Sequence, residues 1–222
     1  MMRLRQAHVL VVGLGGVGGY ATEQLCRAGV GSLTLVDGDT VSLSNLNRQI
    51  IALHSSLGMP KTLAFRNRLL DINPLCNVSI CNEFLRDEPM LELLQSTHFD
   101  CVVDAIDTLS PKVFLLYHCH QLQLPVVSSM GSAGKLDPTK IAIADISKSH
   151  TCPLAAMVRK RLHRLGVSEG IPTVFSSEKV PPHALVEEFS QNKRTNMGSI
   201  AYIPAIFGCF CAAEAIRIIV NQ

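Results

Sequence analysis

Apolar residues in this chain come in short continuous runs rather than in strict alternation. His8 to Val12, Leu33 to Val36, Val78 to Cys81, Cys101 to Ala105 and Val126 to Met130 each read as a strand. Segments of helical character stand between them. Tyr20 to Ala28 follows a glycine turn, and Pro60 opens a helix to about Ile72 that Asn73-Pro74 closes. A short helix is predicted near Pro89 to Gln95, and another runs through about Gln121 with Ser110 as cap and Pro111 as first position. A strand buried on both faces has no polar side to alternate with, so continuous runs separated by helices predict an α/β fold. Its sheet is doubly wound and mostly parallel, with helices on both faces.

The texture changes after Met130. Gly131-Ser132-Ala133-Gly134 reads as a turn, Lys140 to Ile146 alternates like a half-buried strand, and Pro153 opens a helix to about Leu165. Gly170 to Gly198 holds Pro172, Pro181 and Pro182 with little periodicity, which predicts a long surface crossover able to order over a ligand. The stretch Ile200 to Val220 approaches membrane-spanning length, yet Pro204, Gly208, Glu214 and Arg217 interrupt it, so it reads as a buried core or interface helix. At 222 residues the expectation is one domain over 1–222, with a core over 1–130 and a C-terminal extension over 131–222.

Composition narrows the classes. Apolar residues make up 47% and charged residues 17%, against roughly 25% charged in an average globular chain, which calls for a large core or an apolar subunit interface. A net charge of +2 excludes a generally basic surface, so any RNA contact must be local. Eight cysteines without a CxxC pair argue against a disulfide framework and a paired-cysteine zinc site, and with no secretory leader pattern they predict reduced thiols in a cytoplasm. Cys152, in a loop beside Pro153, is expected to be exposed and is the one thiol worth probing. His118 and His120, like Cys209 and Cys211, stand two apart and do not face one another on a helix.

Gly13, Gly15 and Gly18 fit GxGxxG, with Gly16 inside the motif, between a predicted strand and helix; Asp37 ends the next strand, where an acid can hold ribose hydroxyls. Glycines let backbone approach phosphates, and the helix N-terminus favours negative charge. Alone, this motif says adenine nucleotide, with a dinucleotide as its ordinary reading. The residues that follow shift the balance: Asp37-Gly-Asp39, then Ser44-Asn45-Leu-Asn47-Arg48-Gln49, then Lys61, and after the fourth strand Asp104-Ala-Ile-Asp107. A redox dinucleotide does not call for that set. Cleavage of ATP between its α- and β-phosphates does, because cations must stabilise the in-line transition state and a carboxylate must hold Mg2+ on the phosphates. Arg48 and Lys61 are the candidate cations, and Asp107 the candidate metal carboxylate. Taken singly, Arg48 could equally pair with a nearby acid and Asp107 could cap the helix after it.

At these residues the sequence resembles the ubiquitin-activating superfamily, whose bacterial members include the molybdopterin- and thiamine-pathway adenylating enzymes; the likeness spans about Val9 to Met130 and a Rossmann-like core. The resemblance implies that Asp37 binds ribose, that Asn45, Arg48 and Lys61 contact phosphates, that Asp107 binds Mg2+, and that a carboxylate becomes an acyl-adenylate. Members acting on a small protein's C-terminus usually carry two CxxC zinc pairs, which this chain lacks. GSAGKLDPTKIAIADISKSHTCPLAAMVRKRLHRLG, VFSSE at 174–178 and KRTNMGSIAYIPAIFG instead resemble the tRNA threonylcarbamoyladenosine dehydratases. That likeness implies ATP-dependent ring closure on modified tRNA, and a homodimer built on the apolar C-terminal helix is the accompanying expectation. Two departures stand out. Met197 occupies a position where those proteins carry a cysteine, and the chain starts Met1-Met2-Arg3-Leu4-Arg5, leaving little length for their usual arginine-bearing first helix.

Three other readings stay open: adenylation of a ubiquitin-like or sulfur-carrier protein, a noncatalytic nucleotide-binding partner of a sulfur-relay protein, and a NAD-dependent oxidoreductase. Arg159, Lys160, Arg161, His163 and Arg164 crowd one predicted helix, with Lys135, Lys140 and Lys148 nearby in sequence. They form either a grip on tRNA phosphates or a solvated face.

Overall fold

The valine-rich run becomes β1 (His8–Val12), a central strand of the computed structural model, which describes residues 2–180, 185–186 and 196–221. Val9 to Val12 are all buried, which is why the run carries no polar face. β1 pairs in parallel with β2 (Ser32–Val36) on one side and β4 (Cys101–Asp104) on the other. β2 carries β3 (Asn77–Cys81), and β4 carries β5 (Val126–Ser129). β7 (Pro172–Ser176) adds in parallel to β5, and β6 (Ile141–Asp145) closes the edge antiparallel to β7. The seven-stranded order is β3-β2-β1-β4-β5-β7-β6. The chain winds outward from β1 in one direction and resumes at β4 in the other, so the switch point lies between β1 and β4.

Strand side chains alternate between two cores. Val9, Val11, Leu33 and Val103 face α1 (Met2–Gln6), α2 (Gly18–Arg27), α3 (Lys61–Ile72) and α7 (Tyr202–Asn221). Leu10, Val12 and Val102 face α4 (Asp87–Ser96), α5 (Leu109–Gln121) and α6 (Pro153–Arg164). The apolar C-terminal stretch is accordingly a core helix. Ile203, Phe207, Cys211, Ala215 and Ile219 of α7 are buried, and its buried Glu214 pairs with Arg217 one turn on. By length and composition α7 could cross a membrane, but its spacing of buried residues follows the sheet and α2. The five-residue α1 does carry Arg3 and Arg5, and Arg3 Nη1 donates to the Val220 carbonyl at 2.6 Å, tying the first helix to the last.

Three sequence expectations need correction. The stretch read as a surface crossover from Gly170 contains β7, whose residues Thr173 to Ser176 are all buried. Polar Thr173 and Ser176 hid a buried strand, and Pro172 is tolerated because it occupies the first strand position. Beyond β7, the backbone pairs β8 (Leu185–Val186) antiparallel with β9 (Asn196–Met197); Pro181, Pro182 and the Met197 side chain lie outside the described residues. α5 starts one residue before Ser110, with Thr108 in the cap position, so Pro111 falls later in the first turn, where its missing N–H still costs no hydrogen bond. Cys152 is buried at the cap of α6, and Cys209 is the exposed thiol.

Phe65 fills the gap between α3 and α2, its ring 2.6 Å from where a Cβ on Gly19 would stand, and it is fully buried. Phe65→Ala is expected to cost about 3–5 kcal/mol of stability in denaturant titration.

Candidate active site

The ends of β1, β2 and β4 bring the polar residues of the first half to one edge. Gly13 leaves β1 with φ +90°, and a Cβ there would stand 2.8 Å from the Ala105 carbonyl oxygen just past β4. Gly18 starts α2 so close to Gly13 that an added Cβ would meet the Gly13 oxygen at 1.8 Å. Only glycine permits this bend. Beside it, Gly16 packs against Arg48, whose Cγ lies 3.5 Å from the position of a Gly16 Cβ. Gln49, next to Arg48, reaches Gly15 from the same side, and its buried Oε1 has no hydrogen-bond partner among the described residues.

Asp37 ties β2 to that bend. Its Oδ2 accepts from Leu14 N at 2.6 Å and its Oδ1 from Asp39 N at 2.8 Å. Lys61 Nζ lies 2.8 Å from Asp39 Oδ2 and 3.9 Å from Asp37 Oδ1, with its side chain almost wholly buried. Burial pushes the Asp37 carboxyl above its ordinary value, an effect opposed by the Lys61 ammonium and the two amides. Asn45 is buried in a 3-10 turn, Leu43–Asn45, and accepts from Ser42 N. Arg48 extends from the same loop, where its Nη1 donates to Ser44 O at 2.7 Å and Asn47 Oδ1 at 2.8 Å. Asp107 is exposed three residues beyond the end of β4.

Some of the residues framing this edge were not singled out from sequence. Asp104, the first acid of Asp-Ala-Ile-Asp, is fully buried; its Oδ2 accepts from Lys112 Nζ and Ser128 Oγ, each at 2.6 Å. Lys112 also donates to Ile106 O, and Asp104 Oδ1 accepts from Ile106 N, so this pair clamps the turn that leads to Asp107. A lysine one turn into a helix after an acid-ended strand was the available signal. Phe84, exposed after β3, lays its ring against Gly38 between Asp37 and Asp39. Asn47 Nδ2 donates to Ser199 O and so joins the two halves, while Gly134 N donates to the neighbouring Gly198 O within the second.

The basic residues of the second half divide. Lys135 is buried and donates to Glu178 O at 2.7 Å, with its ammonium pulled below the ordinary value by burial, so it is a pin rather than a surface cation. Arg159 is turned inward to Ser149. Lys160, Arg161, His163 and Arg164 remain on the exposed side of α6.

A parallel sheet with its glycine bend, acids and cations gathered at the switch point defines a nucleotide-binding α/β protein. The chain belongs to the ThiF family, whose model matches residues 1–222. It is 44% identical over 175 residues to the tRNA threonylcarbamoyladenosine dehydratase of Bacillus subtilis, covering 79% of this chain and 68% of that protein. Over 227 residues it is 36% identical to the Haemophilus influenzae protein of the same name, covering 97% and 87%. The crystal structure of Escherichia coli tRNA N6-threonylcarbamoyladenosine dehydratase, TcdA, in complex with ATP superposes with a TM-score of 0.89 at 33% identity, covering 99% of this chain and 88% of that one.

Removing the cation under the Asp-Ala-Ile-Asp turn tests its frame. Lys112→Ala is expected to destabilise the protein by about 3–5 kcal/mol in urea titration, because a buried carboxylate is left unpaired, and adding Asp104→Asn should return part of the loss.

Proposed function

We propose that this chain catalyses ATP-dependent dehydration of threonylcarbamoyladenosine in tRNA through an acyl-adenylate. The observation that carries the reading is the convergence of Arg48, Asp37 and Lys61 on one glycine bend: Arg48 packs on Gly16, Asp37 bonds Leu14, and Lys61 bridges Asp37 and Asp39. Its likeness to dehydratases of that name along most of the chain supplies the substrate. In this reading 1–130 is the nucleotide-binding core and 131–222 the substrate and interface extension. Gly13, Gly15, Gly16 and Gly18 admit the phosphates, Asp37 takes the ribose hydroxyls, and Asn45, Arg48 and Lys61 face the phosphates.

The chemistry follows from charge. The threonyl carboxylate attacks the α-phosphorus, the bond to the β-phosphate oxygen breaks, and pyrophosphate leaves with the electron pair. Arg48 and Lys61 stabilise negative charge that grows on the phosphoryl oxygens. The carbamoyl group of the same side chain then attacks the acyl carbon and AMP departs, so the nucleoside loses one water. An attacking group already tethered to its target has a high effective concentration, and the protein mainly has to activate and orient.

Asp37 and Asp39 offset Arg48 and Lys61 at this edge, and Asp107 adds a further negative charge, so the charge of ATP calls for a divalent ion. Mg2+ takes one or two protein carboxylates and completes its shell with phosphates and water, and a carboxylate exposed just beyond the end of β4 fits that need. Asp107 would hold it. Bound there, Mg2+ would neutralise charge on the phosphate oxygens.

Two further parts of the reading concern assembly and place. The outer side of α7 shows Tyr202, Cys209, Ala213 and Val220 to solvent with Ile206 and Phe210 half-buried, a largely apolar stripe that also carries exposed Arg217, tied to Glu214, and is suited to pairing with a second copy. The free thiols fit a cytoplasmic setting, and a sulfur-relay protein is a further candidate partner.

Incubation of modified tRNA with Mg-ATP, followed by mass spectrometry of nucleosides, should show loss of one water with the wild-type protein. Arg48→Ala should slow the reaction roughly 100-fold. Pyrophosphate exchange stimulated by a protein ending in Gly-Gly and not by modified tRNA would overturn the assignment. Cys209→Glu places a charge in the α7 stripe and should shift the protein from dimer to monomer in sedimentation velocity.

A further inference from the structure

α5 and α6 pack side by side on the sheet face opposite α7, with Leu115, Leu116 and Cys119 of α5 and Ala155, Val158 and Leu162 of α6 turned into the core. Phe114, Tyr117 and His118 are left on an outer stripe of α5. They meet Arg161 and Leu165 of α6 across an open groove of about 310 Å3. The rings touch one another: His118 lies 4.2 Å from Phe114 and 5.0 Å from Tyr117 between centroids. Burial lowers the His118 imidazole below its ordinary value, which favours the uncharged ring. Arg161 crosses the groove to Ser110 Oγ at 2.9 Å, while Lys160 and Arg164 stand exposed on the adjoining turn. Asp87 also lines the groove.

A π-surface with cations on its rim matches one class of ligand closely. An unpaired nucleotide offers a flat base that stacks on aromatic rings whatever its identity, and a phosphate that a guanidinium grips. An acid in the groove lining can accept from an exocyclic amino group. The position fits as well. α5 starts two residues beyond Asp107, and the eight residues from Ser110 to His118 span about 12 Å along the helix, within reach of a neighbour in the same RNA loop.

We propose that the groove between α5 and α6 binds an unpaired nucleotide of the tRNA anticodon loop, with the base stacked on Tyr117 beside Phe114 and His118, whose ring is tilted to both others, and the backbone phosphate on Arg161. This deepens the tRNA reading and rests on it. The groove holds the loop in register while its modified adenosine lies at the strand ends, and it stays open in a dimer formed through α7 because α7 covers the opposite face.

The test is fluorescence anisotropy with an unmodified anticodon stem–loop RNA. Tyr117→Ala and Arg161→Glu should each weaken binding about ten-fold with ATP affinity unchanged, thermal denaturation confirming that both are folded at the assay temperature although Tyr117→Ala gives up some core packing. Tyr117→Phe, which keeps the ring, should bind like wild type, and Arg66→Glu, the same charge change on exposed α3 surface, should have little effect by comparison. Arg161→Glu should also flatten the salt dependence of binding. Wild-type affinity in Tyr117→Ala and Arg161→Glu, equal damage from Tyr117→Phe and Tyr117→Ala, or no binding of the stem–loop by wild type would each overturn the groove. Water loss from modified tRNA is scored separately. A protein that dehydrates tRNA with an unchanged KM in the groove variants keeps its proposed function and loses this site; one that binds the stem–loop through the groove but never removes water keeps the site and loses the function.

Discussion

The Asp37 carboxylate is the contact on which this molecular edge depends. One of its oxygens accepts from the amide of Leu14 in the glycine bend, the other from the amide of Asp39 just beyond β2. A single side chain therefore fixes the separation of two strand ends and the path of the bend between them. It does so while buried, where an isolated carboxylate would shed its charge; the two amides and the Lys61 ammonium oppose that effect. Lys61 is in turn held by Asp39 at 2.8 Å. Acid, base and backbone are mutually compensated, which gives the edge a defined shape.

Other buried charges do comparable work beside and beyond the bend. Asp104 and Lys112 clamp the turn after β4 with the help of Ser128. Glu23 binds both Arg27 and Arg68 and so locks α2 to α3 behind the glycine motif. In the second half, Lys135 holds the Glu178 carbonyl while the Glu178 carboxylate accepts from the amides of Leu136 and Asp137, stapling the loops that follow β5 and β7. Charges in this protein are few and many are committed to structure, so the low charged content leaves α6 with one of its rare exposed basic clusters.

The sheet separates two kinds of surface. On one side, α2, α3 and α7 form an apolar layer whose last helix still shows apolar residues outward. On the other, α5 and α6 bury their aliphatic residues and leave aromatic and basic ones outside. Both layers meet the same row of strand ends, since α2 and α5 start directly after β1 and β4. A nucleotide edge flanked by an apolar face and a basic aromatic face follows from one right-handed winding of the chain.

Sequence by itself determined the parallel α/β class, because continuous apolar runs such as 8–12 and 101–105 have no reading as half-exposed strands. It also supplied a candidate set: Gly13, Gly15, Gly16, Gly18, Asp37, Asp39, Arg48, Lys61 and Asp107 from glycine, acid and cation types near strand ends, and Asn45 through the resemblance to a known family. It failed at β7, where buried Thr173 and Ser176 imitate a loop, and at Cys152, where a proline neighbour imitates exposure. Tertiary structure alone decided that Asp104 pairs with Lys112, that Lys135 and Arg159 turn inward while Arg161 turns out, and that Phe114, Tyr117 and His118 share a groove with α6. Each of these is a choice of partner across elements far apart in sequence. Local pattern encodes which way a residue faces on its own element, whereas what it meets there depends on how the elements pack.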